Sequence, residues 1–286
     1  MVGFDDDLIQ IKDRLNGQPS KREVISIVGM GGTGKTTLAR NVYDDPLIVY
    51  HFHVRAWVTI SQEYCVRDIL LGLLDSLRKL NDKMHRESED ELAEHFYKIL
   101  RPGKYLIVME DVWNTQAWDD FRRLFPDSNN GNRILLTTRL MNVALYAGSI
   151  NFLHQMHFLY DDEGWKLLFA EMFGKEYLYN PRLEEIGREI ARNCRGLPLA
   201  IVVIGGILSK LDCTYEVWEN VAEKIHSITA TAANRCSEIL SLSCNQLPLR
   251  LKACFLYMGI FPEYYEIHVS KLIKLYMGSR KISKSS

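Results

Sequence analysis

With 286 residues, 47% of them hydrophobic and 25% charged, the chain is long enough to bury a substantial core and to form more than one domain. A formal net charge of −1 gives no global reason to expect nucleic acid or an anionic membrane surface as its main partner. The acidic start Met1-Val2-Gly3-Phe4-Asp5-Asp6-Asp7 lacks the apolar stretch of a secretory signal, and no apolar run approaches the roughly 20 residues of a membrane span.

In chain order, Leu8, Ile11 and Leu15 predict an amphipathic helix over 5–15, and a polar turn follows to Arg22. Val24-Ile25-Ser26-Ile27-Val28 is short and β-branched, which predicts a buried strand. After a glycine-rich turn comes a helix over 36–43. Arg55 to Ile60 predicts a second strand, with His51-Phe52-His53 as its flank rather than a metal site. Apolar positions 66, 69, 70, 73, 74 and 77 predict a helix over 66–80. The charge-rich stretch 82–91 reads as a solvated loop leading into a helix over 90–100. Tyr105-Leu106-Ile107-Val108-Met109 predicts a third buried strand. A fourth, Arg133 to Thr137, follows the turn Asn129-Asn130-Gly131. Strands alternating with helices imply a parallel sheet covered on both faces.

Beyond about residue 158 helical periodicity takes over, with helices expected over 162–173, 181–194, 197–208, 215–222, 238–242, 249–258 and 270–277. The fold class is therefore α/β over about 1–150, followed by an all-helical part. Trp57, Trp113, Trp118, Trp165 and Trp218 read as core or interface residues. The six cysteines, Cys65, Cys194, Cys213, Cys236, Cys244 and Cys254, form no CxxC pair and have no histidine cluster beside them. Mostly buried, reduced thiols are expected, which suits a cytoplasmic protein.

The chemistry lies at three strand ends. Gly29-Met30-Gly31-Gly32-Thr33-Gly34-Lys35-Thr36-Thr37 has the GxxxxGK(S/T) spacing, between a strand and a helix. Glycines let successive backbone N–H groups turn inward around phosphate oxygens, and the start of the helix adds its positive dipole end. Lys35 would reach the β- and γ-phosphates, the Thr36 hydroxyl would ligate Mg²⁺, and Thr37 would support the α-phosphate. Glu110-Asp111, at the end of the third strand, would supply the carboxylates that such a site needs. Glu110 would stand on the metal side, and Asp111 would orient or deprotonate the attacking water. Arg139, after Leu136-Thr137-Thr138, would sense the γ-phosphate. Taken alone, Glu110-Asp111 can also be read as a polar strand end or helix cap, and Arg139 alone reads first as a surface salt-bridge arginine.

Several motifs coincide in order. Val2-Gly3-Phe4 precedes the phosphate loop. Arg55-Ala56-Trp57-Val58-Thr59-Ile60-Ser61, Ile107-Val108-Met109-Glu110-Asp111-Val112-Trp113 and Gly131 to Arg139 follow it. Gly196-Leu197-Pro198-Leu199-Ala200, Leu247-Pro248, Leu251 to Tyr257 and Phe261-Pro262 come last. Together they resemble the NB-ARC domain of plant nucleotide-binding leucine-rich-repeat resistance proteins. Trp113 at the end of the acidic motif makes the chain similar to the coiled-coil class. The resemblance implies a P-loop NTPase domain over 1–150, a helical subdomain over 151–235 and a partial winged helix over 236–286. It implies an ADP/ATP switch with slow hydrolysis at most, joined to coiled-coil and leucine-rich-repeat domains and oligomerising with ATP. It also places Val2 and Gly3 near the adenine and Pro198 against the base.

Three departures from the family pattern stand out. Glu110 occupies a position where the family usually has aspartate, which bears on metal geometry and hydrolysis. A Met-His-Asp motif does not occur within these residues. The tail Gly278 to Ser286 is basic and serine-rich, so a C-terminally truncated third subdomain is expected. A small-molecule kinase would need a lid of clustered arginines, which the sequence does not show. An interaction protein with a structural nucleotide is the second reading.

Overall fold

The apolar, β-branched runs form the strands of one parallel sheet: β1 (Glu23–Val28), β2 (Val54–Thr59), β3 (Tyr105–Glu110), β4 (Arg133–Thr138) and β5 (Leu153–Gln155), in the order β2-β3-β4-β1-β5. The computed structural model describes residues 2–17, 21–148, 150–173 and 181–226. Beyond these it describes 237, 238, 240, 241, 244, 247, 249–261, 265 and 267–274. Two compact units, Met1–His157 and Phe158–Ser286, divide the chain.

In the first unit the sheet is flanked by α1 (Asp5–Asn16), α2 (Lys35–Tyr43), α3 (Pro46–His51), α4 (Val66–Ser76), α5 (Glu89–Leu100), α6 (Thr115–Arg122) and α7 (Met141–Ala147). Because strand side chains alternate, Ile107 and Met109 join a buried cluster with Leu70, Leu73, Phe96, Trp118 and Phe121, while the equally buried Leu106 and Val108 serve the opposite face. Registers such as Val28↔Thr138 and Thr59↔Glu110 bring the C-terminal strand ends level with one another.

The differences from expectation have local causes. α4 stops at Ser76, not at residue 80, because Leu77 caps it and Arg78 adopts φ +54°. α3 went unforeseen although Asp45 caps it, accepting from the Leu47 N–H at 2.9 Å, with Pro46 in its first turn. β5 is three residues long and pairs with β1, so the first unit runs to His157 rather than to 150. Cys194 is buried, but Cys65 and Cys213 are exposed and Cys244 and Cys254 half-buried. The expectation of mostly buried thiols is thus corrected. Short polar turns next to Cys65 and Cys213 leave them open.

In the second unit α8 (Asp161–Phe173) packs on α9 (Pro181–Asn193) and on α10 (Pro198–Leu208), and α11 (Tyr215–His226) packs on α9; α12 spans Leu249–Met258. Gly196, at φ +69°, turns the chain into α10, and its carbonyl accepts the Leu159 N–H at 2.9 Å. A Cβ there would lie 2.2 Å from the Leu159 oxygen, so the first residue of Gly196-Leu197-Pro198-Leu199 answers to packing. The expected division at 235/236, Cys236, the end of the helix to 277 and the tail 278–286 lie outside the described residues. Among the described residues no helix is long and apolar enough to cross a membrane.

One buried cation ties the bottom of the sheet to α1. Arg133, fully buried at the start of β4, donates to the Lys21 carbonyl at 3.2 Å and the Gly17 carbonyl at 2.9 Å, with Glu23 at 3.7 Å. Arg133→Ala leaves those acceptors and Glu23 without it, and should cost about 3 kcal/mol of stability in denaturant unfolding.

Candidate nucleotide-binding site

β1 ends at Val28 and α2 begins at Lys35, so Gly29 to Gly34 must reverse the chain within six residues. Gly32 (φ +80°) and Gly34 (φ +94°) occupy the left-handed region, which glycine adopts without strain. The loop is clamped from outside. Gly29 N–H donates to the Thr138 carbonyl at 3.2 Å, and Met156 N–H donates to the Val28 carbonyl at 2.8 Å. A Cβ on Gly29 would come within 2.8 Å of the Met156 Cβ. Inside, the Thr33 hydroxyl donates to the Met30 carbonyl at 2.9 Å. Gly34 stands at the N-cap of α2 with no side-chain cap, so the first N–H groups of that helix have no side-chain acceptor there. Phe4, directly after the Val2-Gly3 turn, is buried, and its ring would sit 3.7 Å from a Cβ on Gly34.

Lys35 is buried at the mouth of the loop, and its ammonium donates to the Gly29 carbonyl at 2.7 Å and the Met30 carbonyl at 2.9 Å. Burial lowers its pKa to about 8; Asp111 and Glu110 pull it back up, and Arg139 reinforces the depression. The Thr36 hydroxyl donates to Glu110 Oε1 at 2.5 Å. The other oxygen of Glu110 accepts from Trp57 Nε1 and from Thr59 Oγ1, each at 3.0 Å. Asp111, at φ +54°, is fixed by its N–H to Thr137 Oγ1 at 2.9 Å and faces Arg139 at 3.1 Å. Arg139 stacks over Trp113, 4.5 Å from the ring centre, and approaches Gly31, where a Cβ would meet its Nη1 at 3.8 Å.

The NB-ARC domain family model matches residues 4–177, more than half of the chain. The chain belongs to the NB-ARC family. It is 39% identical over 285 residues to the late blight resistance protein homolog R1B-14 of Solanum demissum, and 42% identical over 279 residues to the homolog R1B-12 of the same species. These alignments take in 100% and 97% of this chain but 21% and 20% of the relatives, so the chain spans about a fifth of their length. Among solved structures it is similar to the Aeropyrum pernix ORC2 protein, with TM-score 0.52 and 12% identity over 96% of this chain and 78% of that one. It is also similar to a signal transduction ATPase with numerous domains from Pyrococcus horikoshii, with TM-score 0.52 and 14% identity over 94% of this chain and 36% of that one. At such identities the likeness concerns the fold alone.

In this NB-ARC module, a nucleotide-binding one, the strand ends bring together the residues that the sequence singled out from Gly29 to Thr36, with Glu110, Asp111 and Arg139. Thr37 is exposed in the first turn of α2, and its carbonyl accepts from Asn41 at 2.8 Å. Pro198 belongs to the second unit, buried as the first residue of α10. Trp57 was expected as a core or interface residue. It is half-buried with its N–H on Glu110, and Thr59, expected in the strand with no role at the site, also donates to Glu110. Strand periodicity held the missing signal, since Trp57 and Thr59 share one face of β2 and Thr59 pairs in register with Glu110.

The depressed Lys35 pKa has a measurable consequence for the NB-ARC site. A bound polyphosphate favours the ammonium and raises its pKa. Below about pH 8 free and bound protein both hold the proton, so affinity is flat. Above it the free protein loses the proton, and ADP affinity should fall by up to about tenfold per pH unit until the bound pKa is reached. Calorimetric titrations with ADP at about pH 8.5, in buffers of different ionisation enthalpy, should show proton uptake.

Proposed function

We propose that this NB-ARC module is the adenine-nucleotide switch of a plant immune receptor, ADP-bound at rest, ATP-bound when active, and hydrolysing ATP slowly at most. The observation that carries the reading is the convergence on one sheet edge of a buried ammonium, a hydroxyl–carboxylate pair and an arginine–carboxylate pair. Lys35 would hold the β- and γ-phosphates, the N–H groups of Gly29 to Gly34 would line them, and Thr37 would support the α-phosphate. Thr36 and Glu110 fit a hard cation, since both offer oxygen. A Mg²⁺ ion bound there would neutralise phosphate charge.

The Asp111–Arg139 pair suits a two-state reader. A γ-phosphate would compete with Asp111 for the Arg139 guanidinium, and the displaced carboxylate would orient water. ADP would leave the pair intact. Val2 and Gly3 would lie near the adenine, and Pro198, in the helical subdomain expected over 151–235, would pack against the base. A winged-helix portion from 236 onward would respond to the nucleotide. The likeness to late blight resistance homologs supports a role in defence. In this reading coiled-coil and leucine-rich-repeat domains would be its partners, the ATP state would oligomerise, and the module would act in the cytoplasm.

Denaturing the purified chain and separating the released nucleotide by ion exchange tests this reading. Close to one equivalent of ADP is expected. A folded protein that carries no nucleotide and takes up neither added ADP nor added ATP would overturn it in favour of an interaction fragment.

A further inference from the structure

The Glu110 carboxylate is bonded from two sides. One oxygen takes the Thr36 hydroxyl at 2.5 Å, and the other takes Trp57 Nε1 and Thr59 Oγ1 at 3.0 Å each. The indole is itself immobilised by α2. The Arg40 guanidinium lies 3.7 Å over its ring, and Tyr43 meets it edge-on at 5.4 Å. Arg55 then closes on Tyr43, stacking 4.5 Å from its ring and donating to its carbonyl at 2.5 Å. The contacts form a ring: α2 supplies Thr36 to the carboxylate and Arg40 and Tyr43 to the indole, and β2 and β3 complete it.

We propose that Trp57 and Thr59 are positioning residues, which aim the longer Glu110 carboxylate at Thr36 so that a glutamate can serve the cation. The inference rests on the Mg²⁺ reading above and deepens it. A free glutamate side chain has three rotatable bonds, and a solvated carboxylate would sample many orientations. Two neutral donors on the far oxygen select one of them. Because those donors carry no charge, they orient the carboxylate without cancelling its attraction for a cation. Such outer-shell partners of a ligating carboxylate are worth about 10- to 100-fold in metal affinity. An aspartate at 110 would fall about 1.5 Å short of bonding Thr36 and the two donors together.

The test uses the full 286-residue chain with ADP and MgCl₂. ADP affinity is measured in EDTA and across an Mg²⁺ titration for the wild type, Trp57→Phe, Thr59→Val and Thr59→Ser. Phenylalanine keeps an aromatic face beneath Arg40 and removes the N–H together with the second ring of the indole. Valine matches threonine in shape without the hydroxyl, and serine restores it. Both donor-deleted variants should need about tenfold more Mg²⁺, with ADP affinity in EDTA near that of the wild type, and Thr59→Ser should restore the wild-type midpoint. The indole emission lost in Trp57→Phe should also be the part of the wild-type signal that responds to Mg²⁺. Folded variants with the wild-type Mg²⁺ midpoint would overturn the proposal alone. A wild type whose ADP affinity ignores Mg²⁺ would overturn the cation reading and the proposal with it.

Discussion

A lysine ammonium withdrawn from water is the constraint around which the rest of the site is arranged. Lys35 is buried, and two backbone carbonyls of its own loop accept from it. Carbonyl dipoles satisfy its hydrogens but do not cancel its charge, and the depressed pKa records that residual cost. In the proposed reading a phosphate would supply the missing anion, at the loop glycines and the start of α2. The clamps on the loop, Thr138 through Gly29 and Met156 through Val28, keep the curl from relaxing toward a solvated lysine.

The carboxylates lie close enough to moderate that charge, yet each is engaged elsewhere, Glu110 with Thr36, Trp57 and Thr59, and Asp111 with Arg139. This division follows from the parallel sheet. Its strands all end at one edge, so residues far apart in sequence arrive level with each other. Strand register sets Thr59 level with Glu110, and Val28 level with Thr138. The functional groups therefore sit on rigid strand and helix ends, while the unusual backbone at Asp111 and Gly34 turns them toward the loop.

Much of this was legible beforehand. The five-residue apolar runs marked the long strands because buried parallel strands need both faces apolar, and the glycine-lysine spacing marked the loop. What escaped had weak local signals. β5 is too short to show periodicity and exists through its pairing with β1. In α4 the apolar spacing to Leu77 led to a helix expected as far as residue 80, but the left-handed backbone of Arg78 ends it sooner. The roles of Trp57 and Thr59 were hidden for another reason. A tryptophan in an apolar strand looks like core until a neighbouring strand places a carboxylate beside its N–H.

The central claim is that Lys35 holds its charge in the loop for a phosphate and at the expense of the fold. Lys35→Met keeps the aliphatic length and removes the ammonium, so the decisive measurement is ADP affinity and thermal midpoint on the same sample. The account predicts a loss of roughly 10- to 100-fold in affinity, matching about 1.5–3 kcal/mol for a charge-assisted bond, with a midpoint equal to or above that of the wild type. Wild-type ADP affinity in a folded Lys35→Met protein would contradict it.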